Sequence, residues 1–311
     1  MTARDGTDSL ARPPALTAGD LVTLSELTWL RRTSSVRGAG LVAHAWATIA
    51  AAMFVYTVWP SPLTFIAAVA VIGSRQLGLL VLMHETSHWL LFPGLRPNTW
   101  VGSWLCAYPL WTDLRRYRRE HHAHHRHTQQ AGDPDLPLTA PFPVSRGELL
   151  REALRDLSGW TTVARVLAWR PGSVSAAWQE LRGPLTANAV LLAVLAAAGH
   201  AELYLLLWVI PLVTWYPLVT RLRAIAEHAV TPDPDDPLRN TRSTEAGALA
   251  RAFLAPYWVN YHLEHHLLIF VPCWKLRRAH ALLLAKSYGS RMERSSGYLD
   301  VIRRATARQT A

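Results

Sequence analysis

The sequence predicts an all-α integral membrane protein: four transmembrane helices and a histidine-rich di-metal site on one side of the membrane. Three observations carry this expectation. Half of the 311 residues are hydrophobic and only 17% are charged, an apolar balance unusual in a soluble chain. The apolar residues gather in three blocks that approach or exceed the ~20 residues needed to cross a bilayer. The histidines fall in three clusters at helical spacing.

Residues 1–37 read as an N-terminal lead and residues 38–311 as one membrane domain. Residues 1–20 hold Arg4, Asp5, Asp8, Arg12 and Asp20 with no apolar core, so a disordered lead is expected there and no signal peptide. "LVTLSELTWL", residues 21–30, reads as a short amphipathic helix on the membrane surface. The first span, about 38–59, contains no charge and only His44, with Arg31, Arg32 and Arg37 just before it. The second, about 62–83, is interrupted by Arg75 and Gln76, which must face protein because an arginine in hydrocarbon is costly.

"NTWVGSWLCAYPLW", residues 98–111, is apolar but too short to span and is placed as re-entrant or interfacial. The third block, residues 185–220, is too long for one crossing. It suits a hairpin turning near "GHAE", with spans of about 185–200 and 202–220. Irregular loops are expected at "AGDPDLPLTAPFP", residues 131–143, and "TPDPDDPLRNT", residues 231–241.

The two candidate outside turns, near Pro60 and His200, carry no Lys or Arg, whereas the remaining loops carry nearly all of them. Both termini and the active site are therefore expected in the cytoplasm. The net charge of +10 flanks apolar spans without the aromatic interleaving of a nucleic-acid surface, so anionic membrane lipids, and no nucleic acid, are the expected partners. Cys106 and Cys273 make neither a disulfide framework nor a thiolate cluster. An iron–sulfur electron source would have to come from another protein.

The histidine clusters are "HETSH", with His84 and His88 at i and i+4; "HHAHH", with His121, His124 and His125; and "HLEHH", with His262, His265 and His266 in the same HxxHH spacing. Spacings of three and four place side chains on one helical face, so each box is expected to aim its imidazoles at a common point. The hairpin topology brings all three boxes to the same membrane side. Lone histidines are ordinarily structural or surface groups, the reading given to His44, His200 and His280. His122 and His127 are expected off the ligand face.

"HETSH" also satisfies HExxH, in which two histidines hold zinc and the glutamate, here Glu85, acts as base. An intramembrane zinc protease is therefore a rival reading, and a noncatalytic histidine-rich metal-binding protein is another. The eight boxed histidines exceed the needs of one tetrahedral zinc and suit two metals. Imidazole alone does not choose the metal.

At "HETSH", "YRREHHAHHRHT" and "NYHLEHHLLIFVP" the chain resembles the membrane fatty acid desaturase family, which includes related hydroxylases and carotenoid-modifying enzymes. The resemblance spans residues 73–284. It implies four spanning helices under a cytoplasmic cap with two iron ions, held by His84, His88, His121, His124, His125, His262, His265 and His266. The family commonly adds a lone histidine after the last span, and His228 occupies that place as a ninth ligand.

The resemblance further implies oxygen-dependent desaturation of a lipid acyl chain, with electrons from an external ferredoxin or cytochrome-type donor. The alternative on the same scaffold is a hydroxylase or ketolase of a lipid or carotenoid. In the acyl-CoA branch an asparagine stands four residues before the lone histidine, where this chain has Ala224. Box three begins with His262 rather than glutamine, unlike front-end desaturases, and no fused cytochrome b5 segment is visible. Glu227, Glu264, Asp133 and Asp135 are candidate acceptors for the free ring N–H of ligating histidines. Arg75 is expected to pair inside the bundle or to line a substrate path.

Overall fold

The computed structural model describes residues 16–286 and 288–307, so the lead expected over residues 1–20 lies outside the described residues as far as residue 15. The helix expected over residues 21–30 is two helices, α1 (Ala18–Leu21) and α2 (Leu24–Leu30). The break falls at Thr23, whose hydroxyl accepts from Glu26 N while its own N–H donates to the Glu26 carboxylate at 2.7 Å. That reciprocal capping starts a new helix rather than continuing the old one.

Helices α3 (Ser35–Val58) and α4 (Pro62–Ser87) form a hairpin. Ser61 caps α4 and Pro62 occupies its first turn, where a missing N–H costs nothing. At 26 residues, α4 is about 39 Å long, longer than the ~30 Å hydrocarbon core. Its last turn, with His84, therefore extends past the span ending at 83 that composition suggested. From Ile72 to Ser87 every residue of α4 is buried, on all sides of the helix; α4 is the post around which the bundle packs.

Residues 95–110 form one helical run: α5 (Leu95–Val101), a wider π-type turn (Gly102–Ala107) and a 3-10 turn (Tyr108–Leu110), ended by Trp111 in the left-handed region. The run packs along α4, and Gly102 makes the approach possible, since a Cβ there would lie 2.1 Å from Thr86 Oγ1. Next come α6 (Leu114–His127), α7 (Leu136–Thr139), α8 (Arg146–Leu157) and α9 (Trp160–Ala168). Arg221 reaches back from the fourth span to Asp156 on α8 with two hydrogen bonds, at 2.6 and 2.9 Å.

The third span is α10 (Val174–Ala197), not residues 185–200. It starts earlier because the helix passes through Pro184, with its polar first turns capped by Ser173. A proline suggests a boundary, yet here Asn188 and Gly183 dock that stretch on Tyr108. The fourth span covers residues 204–228 rather than 202–220: a π-type turn (Tyr204–Val209), then α11 (Ile210–Val213) and α12 (Trp215–His228). Its charged end, Arg221 to His228, continues the helix past the apolar run because Arg221 and Arg223 find carboxylate partners.

Four helices are thus long and apolar enough to cross a membrane among the described residues: Ser35–Val58, Pro62–Ser87, Val174–Ala197 and Tyr204–His228. Over their common end lie α13 (Ala248–Phe253), α14 (His262–Leu267), α15 (Cys273–Ala285) and α16 (Tyr298–Ala305). Two short parallel strands, β1 (Ser243–Thr244) and β2 (Arg294–Ser295), tie this layer together. The Lys275 ammonium sits over the Trp29 ring at 4.5 Å, docking α15 on α2. Arg75 lies inside the bundle, donating to Ala252 O and stacking its guanidinium over Tyr257, which removes its charge from lipid as expected.

Gly73 marks the tightest crossing of α4 and α12, because an added Cβ would lie 2.7 Å from Trp215 side-chain atoms. Gly73→Val is expected to cost ~1–3 kcal/mol through overpacking, read as a lower thermal midpoint in detergent. Gly40→Ala, where nothing lies within 4 Å, should leave the midpoint unchanged or raise it slightly.

Candidate metal centre

Each histidine reaches the centre on an element whose end is pinned. His84 lies in the last turn of α4 and His88 at its C-cap. Arg118 of α6 donates to Thr86 O and Ser87 O at 2.9 and 3.1 Å, satisfying carbonyls that a helix end leaves open. Its guanidinium also lies 4.6 Å from the Trp89 ring. Box two therefore brings its own clamp onto box one. Asp113 caps α6 by accepting from Arg116 N at 2.9 Å, α14 presents box three, and α12 ends on His228.

The nine histidines converge in two groups. His84, His88, His121, His125 and His265 form one, His124, His228, His262 and His266 the other, and in each group one ring nitrogen per residue lies within 4.8 Å of the rest. The boxes do not each serve one point, as their spacing suggested. The i and i+4 members, His121 with His125 and His262 with His266, stay together. The i+3 members, His124 and His265, turn to the opposite group, because three residues advance ~300° around a helix rather than a full turn.

Nε2 atoms meet at 2.8 Å between His88 and His121, 2.9 Å between His121 and His125, and 3.0 Å between His125 and His265. In the other group the separations are 2.8 Å for His228 and His262, 3.1 Å for His262 and His266, and 3.3 Å for His124 and His266. Nitrogen ligands about 2.1 Å from a metal and at right angles stand about 3.0 Å apart. The donor set thus fits one metal per group. Both His84 ring nitrogens are buried without a hydrogen bond, an arrangement that is costly unless a nitrogen is ligating.

Burial also sets the protonation state. It pushes His88 down to about 3 and holds His121, His125, His262, His265 and His266 well below the ordinary imidazole range, with neighbouring histidines acting in the same direction. In these six rings burial therefore favours the neutral form, the form that ligation requires.

The groups behind the ring nitrogens divide unevenly. His124 Nδ1 donates to Asp133 Oδ1 at 2.8 Å, and Asp133 in turn accepts from Gln129 N and Asp135 N. Burial acts to raise the Asp133 carboxyl, but these hydrogen bonds keep it below its ordinary value. Asp135 stands farther off, 3.8 Å from His124 Nδ1. Glu227 lies 3.5 Å from His262 Nδ1 and accepts from Arg223 Nε at 2.6 Å.

Glu264 differs from expectation: it turns away from the ligand groups to Ser243 and to His280, whose Nδ1 lies 2.6 Å away. Consecutive helical residues point ~100° apart, which is why standing beside His265 in sequence does not place Glu264 behind its ring. Glu85 accepts from Cys273 N at 2.8 Å and lies 3.5 Å from His84 Nδ1, fastening α15 to box one.

His122 points to Ser87 O and His127 is exposed, both outside the two groups. Of the lone histidines, His44 meets the Tyr257 hydroxyl at 3.0 Å and His200 pairs with exposed Glu202. Sequence reasoning missed Arg118, Arg223 and Tyr117, whose ring stacks on His121 at 5.3 Å. The available signal was spacing: Arg223 stands four residues before Glu227, and Tyr117 four before His121.

Comparison with known proteins matches residues 57–298 to the family described as fatty acid desaturase. A dihydrorhizobitoxine desaturase of Bradyrhizobium elkanii is 28% identical over 288 residues, covering 82% of this chain and 76% of that protein. A beta-carotene ketolase of Paracoccus sp. (strain PC1) is 26% identical, covering 86% of this chain and 96% of the ketolase. The beta-carotene ketolase of Paracoccus sp. (strain N81106 / MBIC 01143) is also 26% identical, covering 79% and 92%.

Asp133→Asn removes the carboxylate behind His124 while keeping its size. Metal affinity is expected to fall ~10–100-fold, measured by metal retained per chain across a chelator titration, with the helical circular dichroism unchanged.

Proposed function

This chain belongs to the fatty acid desaturase family, and from that premise we propose that it introduces a double bond into a lipid acyl chain at a centre of two irons. The observation that carries the reading is the convergence of nine histidines into a group of five and a group of four. His84, His88, His121, His125 and His265 are the proposed ligands of one iron, and His124, His228, His262 and His266 those of the other. Two irons bound there would supply the activation of dioxygen, with electrons delivered by an external ferredoxin or cytochrome-type carrier.

The chain's own residues do the positioning. Asp133 accepts the ring N–H of His124, which fixes its tautomer and aims Nε2 inward, while Glu227 stands 3.5 Å from Nδ1 of His262. Arg118 and Glu85 lock box one to α6 and α15. The surrounding helices exclude bulk water from the histidines, which protects an oxidising site from side reactions. In balance, desaturation takes two hydrogens from adjacent carbons, and these with two external electrons and two protons reduce dioxygen to two waters.

The basic residues at the histidine end, and their absence from the two opposite turns, support a cytoplasmic placement of the site and both termini. A reporter that is active only in the cytoplasm, fused after the last residue, should therefore be active; silence of that fusion beside an active periplasmic reporter would reverse the orientation.

A second reading is oxygen insertion, giving a hydroxylated or keto product. Its specific support is the similarity to two beta-carotene ketolases along nearly their whole length. Lipid and carotenoid profiling of cells with and without the gene separates the two: a new unsaturated acyl chain supports desaturation, and a hydroxy or keto product the alternative. Purified protein is expected to hold about two irons per chain, and His265→Ala to abolish oxygen-dependent product. About one zinc per chain, with peptide cleavage, would instead establish the protease reading.

A further inference from the structure

Helix α6 carries a basic stripe that the histidine groups do not use. Arg115, Arg119, His122 and Arg126 are spaced four, three and four residues apart, which keeps them within about 60° of the helix circumference. The three arginines are exposed and His122 is half-buried. Among the described residues the arginine ion pairs of α6 belong to Arg116, with Glu120 and Glu180, so the charge of the stripe is left open to a partner.

The stripe flanks a short path of rings to the metal centre. Trp89 is 37% exposed and held in the left-handed region at φ 57°. Its ring lies 5.6 Å from the ring of His122, which in turn lies 5.4 Å from the ring of His88. His88 belongs to the five-histidine group and is one of its two members that are not fully buried. Burial lowers the His122 pKa and the charges of Arg118 and Arg126 add to that effect, which sets both beside the ring. Two ring-to-ring steps thus lead from solvent to a ligand position, and electron tunnelling, which decays exponentially with distance, favours so short a path.

We propose that an acidic one-electron carrier protein docks on this stripe and that its electron enters the five-histidine group through Trp89 and His122. The inference rests on the reading that the histidines hold two irons, and it names where the external donor meets the chain. Each encounter oxidises one reduced carrier and passes one electron to the group, so two encounters supply the two electrons that the overall reaction consumes.

Anionic lipid is the other partner that basic residues fit. A helix resting on lipid sets exposed apolar side chains beside its basic ones, as α8 and α9 do with Leu150, Leu154 and Trp160 next to Arg151 and Arg155. Helix α6 has no large hydrophobic side chain exposed. Its stripe is therefore set in water, with arginine and tryptophan together, the residue types that most often anchor a protein partner.

The test uses an acidic plant-type two-iron, two-sulfur ferredoxin as probe and the full chain in nanodiscs of neutral phosphatidylcholine. Association is expected to weaken as salt is raised, and Arg119→Gln with Arg126→Gln to weaken it roughly three- to tenfold. Arg151→Gln with Arg155→Gln, the same loss of charge on α8, should leave it unchanged. In anaerobic stopped flow, His122→Leu and Trp89→Leu should each slow reduction of the iron centre by ferredoxin, while dithionite, which needs no docking surface, reduces it at the wild-type rate.

No effect of the α6 pair, equal weakening by the α8 pair, or ferredoxin-driven reduction at the wild-type rate in both leucine variants overturns the proposal. A fluorophore on Arg119→Cys decides the lipid alternative, because Cys106 and Cys273 are buried: quenching by a headgroup spin-labelled lipid in the nanodisc places the stripe on the membrane and overturns the proposal, and its absence supports the docking surface. Iron content, measured first on each preparation, tests the parent reading by itself. The association and quenching measurements need no iron, and they decide alone if the leucine variants lose it.

Discussion

The constraint on which the structure depends is the cost of holding nine imidazoles, ring edge to ring edge, out of water. Each neutral ring buried without a partner costs free energy, and Nε2 atoms 2.8–3.3 Å apart present lone pairs to one another. Such an arrangement persists only where the scaffold holds it against relaxation, and the scaffold is rigid where the rings emerge. The last turns of α4 and α12 are buried, α6 is clamped to the end of α4 by Arg118, and α14 is held between β1 and α15.

That demand explains features that are odd in isolation. Spans two and four outlast their apolar runs because both must carry histidines beyond the hydrocarbon. Charged residues at their ends, such as Glu85, Arg223 and Glu227, are buried because each has a partner: Cys273 N for Glu85, and the two others for each other. Buried ion pairs are weak stabilisers, so their presence here is better understood as positioning. The small residues Gly73 and Gly102 serve the same end, letting Trp215 and Thr86 pack at distances a larger side chain would forbid.

Much of this was legible in the sequence, though unevenly. The four long apolar helices follow from hydropathy and the histidines that gather in two groups from spacing and resemblance, since both are local patterns repeated along the chain. Helix limits were less accessible. Pro184 and the Arg221–Glu227 stretch look like boundaries until Tyr108 and Asp156 are known to meet them. Glu264 meets Ser243 and His280 rather than a ring of the two groups, because adjacency in sequence says little about which way a helical side chain points. Arg118 is illegible for the opposite reason: its role lies in carbonyls 31 and 32 residues away, which no local pattern announces.

The division of each HxxHH box between both groups has a mechanical consequence. His124 and His125 are neighbours, as are His265 and His266, and each pair sends its rings to different groups with centroids 5.7 and 5.8 Å apart. The separation of the two sites is thus written into the backbone repeat twice, once in α6 and once in α14. A helix serves as the ruler, and neither histidine group can shift alone: sliding or unwinding either box moves a ring in both.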